Sequence, residues 1–353
     1  MSLPAGTCNE TLDQDMAIVR TRLQWGILIT SLIVLFTIPL YVNSLGLNFI
    51  NYLGISIIAA LGLNILTGLC GQFSVGHAAF MMVGAYVSTW CTIHFGLPYW
   101  IGLPLGALTA GGVGMIFGVP SLRVKGFYLI MATMAAQFII PWVIKNVQPD
   151  WTGGPFPLAV PVPTIGDIKI KTEVQWFYII IPLMLLGIFC AKNLARTRMG
   201  RAFIAIRDND LAAEVMGINT FKYKVIAFFI SSVYAGVAGS LMATWMRTVS
   251  YTYFEFDVSI WYLGIIVVGG LGSVFGAVAG AIFIRGFDYA IPVFIQWAAG
   301  VLPILNLNTD IGTAAKPVLF GLVLLIFILF EPRGIAHRWE IFKAYYRLWP
   351  FSY

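Results

Sequence analysis

The chain has 353 residues, 59% hydrophobic and only 10% charged, with a formal net charge of +6, where a soluble domain carries about 25% charged residues. Between Arg22 and Arg123 there is no Asp, Glu, Lys or Arg, which excludes an ordinary soluble fold, because a water-facing surface is built from charged and polar groups. The positive excess falls in loops between apolar runs, so it reads as membrane topology rather than as a nucleic-acid footprint.

Residues 1–23 read as a cytoplasmic tail. The first 16 are polar, with Glu10, Asp13 and Asp15, and lack the basic start and short apolar core of a cleaved signal. Uncharged runs then predict spans at roughly 24–44, 48–69, 76–95, 99–119, 126–145, 175–192, 224–246, 258–284, 288–305 and 313–331, each near the length of about 20 residues that crosses the hydrocarbon layer. The expected fold is an all-α polytopic membrane protein with about ten helices, eight to ten if the segments near Gly71 and 269–276 are broken or re-entrant. The membrane domain covers 24–331 and a cytoplasmic tail covers 332–353. With the N-terminus inside, 16 of the 21 basic residues lie on inner segments, Arg285 among them in a turn between two spans, so both termini are expected in the cytoplasm.

Three loops separate these runs. The external one, 146–174, carries Pro149, Pro155, Pro157, Pro161 and Pro163; proline fixes φ and removes a donor, so an extended lid or docking surface is expected. The inner turn "SLRVKGF" uses Arg123 and Lys125 to anchor helix ends. The third loop, 193–223, sits in a region where ten charged residues fall within 33 positions, 192–224. Its pattern is ordered. Asn209 or Asp210 is placed to cap a helix whose Leu211, Val215 and Ile218 share one apolar face, and Gly217 is placed to end it. Phe203 and Ile206 form a second apolar patch between Arg201 and Arg207. Such short helices are marginal alone, so this face packs either on the chain's own helices or on another protein.

"GLCGQFSVGHAAF" sets Gly68, Gly71 and Gly76 around Gln72, Ser74 and His77. A helix restarting near Gly76 would aim unpaired N–H groups at an anionic group. "GGLGSVFGAVAG", with Gly270, Gly272 and Ser273, has a similar character. Both also fit close helix packing through small residues, and His77 reads better as a helix-start hydrogen-bonding residue than as a ligand. Arg285 and Asp288 are three apart on one helix face and are expected to satisfy each other.

Several chemistries are disfavoured. No G-x-x-x-x-G-K-[ST] phosphate loop occurs, so the chain lacks that means of holding ATP. "GQFSVG" is not a nucleophile elbow, and no H-x-x-x-H or carboxylate cluster suggests a metal. The cysteines, Cys8, Cys70, Cys91 and Cys190, form no C-x-x-C pair and suggest neither a disulfide framework nor a zinc site. Scarce acids and histidines within the first spans disfavour an ion-coupled carrier. No catalytic or metal-binding residues are assigned.

"RTRMGRAFIAIRDNDLAAEVMGINTFKYKVIAFFISSVYAGVAGSLMA" resembles the permease subunits of branched-chain amino acid ABC importers of the LivM type. So do "LNILTGLCGQFSVGHAAFMMVGAY", "LRVKGFYLIMATMA", "TGGP", "VVGGLGSVFGAVAGAIF" and "FGLVLLIFILFEPRGI", which together run over 61–335. The resemblance implies a translocation subunit that works by alternating access on branched-chain or other hydrophobic amino acids, with an amide, urea or small organic acid as the alternative cargo. It implies a second permease as heterodimer partner, two cytoplasmic ATP-binding subunits carrying ATP and Mg, an extracytoplasmic solute-binding protein, and a place in the inner membrane among lipid. No cofactor on this chain and no nucleic acid are implied. In that scheme Leu211, Ala213 and Val215 form the contact with an ATPase, and Arg201, Arg207, Asp208, Asn209, Glu214 and Gly217 orient or end the coupling helix. Gln72, Ser74, Gly76, His77, Gly270, Gly272 and Ser273 are the candidate solute path.

Overall fold

The computed structural model describes residues 22–121, 127–147, 149–165, 168–301 and 309–348. The acidic tail, Cys8, and Arg123 and Lys125 of the basic turn lie outside the described residues. The helices are α1 (Arg22–Thr37), α2 (Ser44–Leu63), α3 (His77–His94), α4 (Tyr99–Ser121), α5 (Phe127–Asn146), α6 (Glu173–Arg196) and α7 (Arg198–Asp208). They continue with α8 (Asp210–Val215), α9 (Thr220–Met246), α10 (Phe256–Gly269), α11 (Val274–Val301), α12 (Thr309–Phe330) and α13 (Gly334–Leu348). Among the described residues, seven helices are long and apolar enough to cross a membrane, or eight with α12 and α13, bent by 44°, taken as one span. This multi-pass all-α bundle meets the lower end of the expected eight to ten.

Helix α9 is the central post, packed against α2, α3 and α4, while α11 packs on α10 and α2. Lipid tails are as apolar as leucine, so membrane helices associate through close backbone approach and hydrogen bonds rather than by hiding apolar surface from water. Gly239 of α9 shows this: a Cβ there would collide with the Met81 carbonyl of α3. The next residue, Ser240, donates from Oγ to the Gly84 carbonyl at 2.9 Å.

The Pro-rich segment is extended, apart from one helical turn at Pro149–Thr152. Strand β1 (Leu158–Ala159) pairs antiparallel with β4 (Thr248–Val249), which directly follows α9. Between them in sequence, β2 (Thr164–Ile165) and β3 (Ile168–Lys169) form a small hairpin. Arg247 Nη2 donates to the Lys171 carbonyl at 3.0 Å. The segment is therefore tied to the end of α9 rather than hanging free.

The last spans are cut differently from the sequence expectation. A break was expected between 284 and 288, with Arg285 in an inner turn; instead α11 runs unbroken through Arg285 and Asp288. The break falls at 270–273, within the segment 269–276 expected to be broken or re-entrant, where Gly270 and Gly272 adopt φ of 111° and 82°. Left-handed backbone ends helices cheaply only at glycine, whereas the charges at 285 and 288 are neutralised within the bundle and do not force the chain out.

Candidate functional site

Two irregular stretches interrupt the bundle and meet at one end. After α2 the chain makes a buried π-helical turn, Asn64–Leu69, before the irregular residues leading to α3. The second stretch is the 270–273 break. Asn64 joins them: its Oδ1 accepts from Gly272 N at 2.9 Å, and its Nδ2 donates to the Ser273 carbonyl at 3.2 Å. Gly272 is required here, because a Cβ would sit 2.9 Å from the Gly68 carbonyl oxygen.

Arg207, near the end of α7, reaches the same point. Its Nη1 donates to the Gly68 carbonyl at 3.1 Å, and its Nη2 pairs with Asp208 at 2.9 Å. Gly71, at φ 70°, lies against the Arg207 backbone and side-chain carbons. The loop 193–223 is thus hydrogen-bonded to the first break, which Asn64 in turn bonds to the second.

The loop folds as two helices, not one. Thr197 closes α6 and caps α7, accepting from Gly200 N at 3.3 Å. Helix α7 buries Phe203 and Ile206 inward, and Phe203 meets the edge of Tyr223. Extended backbone at Asn209 separates the helices, and its Oδ1 caps α8 by accepting from Ala212 N at 3.1 Å. Gly217, at φ 83°, follows α8, with Ile218 N donating to the Ala213 carbonyl at 3.0 Å. Lys224 pairs with Asp210 at 3.7 Å and fixes α8 to α9.

The faces of α8 differ from the expected assignment. Ala213 is 4% exposed and packs within the chain, so it is not offered to a partner. Ile218 lies past the helix end and also packs inward. Leu211, Val215 and Met216 are 64%, 87% and 82% exposed. Six residues make fewer than two turns, so this helix can press only one edge on its own chain. Arg201, Asp208, Asn209 and Glu214 stand exposed around it, and Arg201 Nη1 donates to the Arg196 carbonyl.

The start of α3 is not an open anion site. Val75 N donates to Thr133 Oγ1 at 3.2 Å, and Gly76 N to Ser74 Oγ at 3.4 Å. Ala78 N donates to Ser259 Oγ at 2.9 Å, and Ala79 N to Gln137 Oε1 at 3.0 Å. These four N–H groups are therefore taken by Ser74 and by side chains of α5 and α10, as burial in lipid demands. Ser74 and His77 are buried; His77 Nε2 contacts the Ala59 carbonyl at 2.9 Å and the ring packs edge-on against Tyr262. His77 holds helices together. Gln72 Nε2 donates to the Cys70 carbonyl, so the candidate solute-path residues lie at the junction or in packed contacts.

Two of the cavities among the described residues, with aromatic or charged walls, stand away from this junction. An apolar cleft of about 550 Å³ lies among α3, α4, α5 and the 149–152 turn, walled by Tyr86, Trp90, Phe117 and Trp151. The second surrounds Arg285, Asp288 and Lys316. Sequence reading missed Asn64, Gln137 and Ser259. The available signal was a lone amide or hydroxyl within an apolar run, which must find a partner inside the bundle.

The family profile for the permease component of the branched-chain amino acid transport system matches residues 45–329. The high-affinity branched-chain amino acid transport system permease protein LivM of Salmonella typhimurium (strain LT2) is 30% identical over 241 residues, covering 62% of this chain and 56% of that protein. The guanosine ABC transporter permease protein NupQ of Bacillus subtilis (strain 168) is 24% identical over 276 residues, 70% of this chain and 86% of that protein. The permease protein LivH of Escherichia coli (strain K12) is 26% identical over 179 residues, 51% of each chain. The match thus spans little more than half the length of the LivM relatives, and no solved structure matches. With a profile match over most of its length, on an all-α multi-pass bundle, the chain belongs to the family of branched-chain amino acid transport system permease components.

Proposed function

We propose that this chain is the translocation subunit of an ATP-driven, binding-protein-dependent importer of branched-chain or other hydrophobic amino acids, working by alternating access. The observation that carries the reading is the pairing of exposed Leu211, Val215 and Met216 on α8 with the Arg207–Gly68 bond beside them. An uncovered apolar edge in the aqueous loop suits a groove on a separate protein. A hydrogen-bonded link from that loop to both helix breaks gives a push on α8 a route into the bundle.

In this reading two cytoplasmic ATP-binding subunits hydrolyse ATP with Mg, and one docks on α8. A second, related permease completes the pathway, and an extracytoplasmic solute-binding protein delivers the cargo. The subunit sits in the inner membrane with both termini in the cytoplasm. It performs no catalysis, and hydrolysis belongs to its partners. The NupQ relative is named for guanosine, so the family membership supports solute transport in general and the LivM match supports amino acids in particular.

The test is reconstitution of the chain with its genomic neighbours. ATP-dependent leucine uptake, with ATP hydrolysis stimulated by loaded binding protein, is the expected result. Solute accumulation by this polypeptide alone under an ion gradient, without nucleotide, would overturn the reading.

A further inference from the structure

Helix α11 places Arg285 and Asp288 in its middle. Arg285 lies 11 residues beyond Val274, about 16 Å along the helix from the junction end at 1.5 Å per residue. Its side chain is 6% exposed. Charges at such depth are expensive and mark function more often than packing. Arg285 Nε donates to Ser56 Oγ at 3.0 Å, and the guanidinium lies 4.4 Å from the Tyr52 ring centroid. Asp288 serves two cations, Arg285 at 3.9 Å and Lys316 of α12 at 3.1 Å. One carboxylate between two cations leaves one positive charge without a carboxylate of its own.

Two cavity lobes of about 290 and 300 Å³ meet at this cluster, both walled by Tyr52, Arg285, Asp288 and Lys316, near the lower bound of about 300 Å³ for small-molecule sites. The second lobe adds Asp257, exposed at the start of α10 and without an ion pair among the described residues. Trp261, Val258 and Pro317 give that lobe apolar walls. The apolar cleft near Trp90, by contrast, has no charged lining residue.

We propose that this two-lobed cavity is a binding site for a zwitterionic α-amino acid with an apolar side chain, which rests on the transport reading above. The α-carboxylate pairs with Lys316 and Arg285, the α-ammonium with Asp257, and the side chain lies against Trp261. A zwitterion brings no net charge into the low-dielectric bundle and meets both signs already placed there. A simple carboxylate would face Asp257 and Asp288, and an uncharged solute would leave both the second cation and Asp257 unanswered.

The test uses the complete importer in lipid vesicles with saturating leucine-loaded binding protein, so that delivery does not limit the rate. Lys316→Met and Asp257→Asn are each expected to lower leucine uptake at least tenfold while stimulated ATP hydrolysis stays within twofold; Lys316→Arg is expected to retain uptake. Uptake within twofold of the parent in both variants overturns the site. Parallel loss of uptake and hydrolysis also overturns it, because it shows a coupling or assembly role. If the parent importer itself moves no leucine, the transport reading fails with it; normal parent uptake with unaffected variants sinks the site alone.

Discussion

Arg207 and Gly68 lie 139 positions apart in sequence, yet the Arg207 guanidinium donates to the Gly68 carbonyl at 3.1 Å. The π-helical turn leaves that carbonyl free of a regular helical partner, and the loop 193–223 supplies one. Asn64 then continues the contact to Gly272 and Ser273. A displacement of α7 therefore acts on both breaks together rather than on one helix end.

Arg207→Ala removes a charged donor to a backbone carbonyl, a bond worth about 1.5–3 kcal/mol. We expect uptake by the reconstituted importer to fall at least tenfold while ATPase subunits still co-purify. The number of ATP molecules hydrolysed per solute moved is expected to rise. An unchanged ratio with unchanged uptake shows that the link transmits nothing.

Val215→Asp changes a side chain that is 87% exposed. Surface substitutions of this kind shift stability by about 0.5 kcal/mol or less, so membrane insertion and melting temperature are expected to stay as in the parent. Burying that carboxylate in a partner's apolar groove is unfavourable. Co-purification of the ATPase and uptake should both be lost. Normal uptake by this variant would show that α8 is not the docking element.

Gln137 holds α3, α5 and α10 together: its Oε1 accepts from Ala79 N and from Ser259 Oγ at 3.0 Å each, and its Nε2 donates to the Phe254 carbonyl at 2.7 Å. Gln137→Leu leaves these buried groups without a partner, at about 1–3 kcal/mol for each unsatisfied group. Thermal unfolding of the purified chain in lipid discs is expected at a clearly lower temperature. A melting point within a degree of the parent would show that water or a rotated side chain replaces the amide.

The legible part of the site was local. Asn209 as a cap, Gly217 just past the helix and the inward patch of Phe203 and Ile206 all follow from patterns within one or two turns. The direction of Ala213 was not legible, because six residues can press either edge on a neighbour and only the Asp210–Lys224 pairing fixes which. The anion site expected at the start of α3 failed for a similar reason. Its acceptors, Ser259 and Gln137, lie 181 and 58 positions away from the N–H groups they satisfy.

Composition and the uncharged runs by themselves determined a helical membrane protein, because backbone groups in lipid must be bonded within their own segment and helices do this locally. Which polar groups meet inside that bundle was decided only by the tertiary structure. Arg285 reads in sequence as part of a turn between spans; folding sets it between Tyr52, Ser56 and Asp288, where its guanidinium has partners inside the bundle and the helix continues. Segment-level hydropathy sums over neighbours in sequence, whereas the neutralisation of a buried charge depends on neighbours in space.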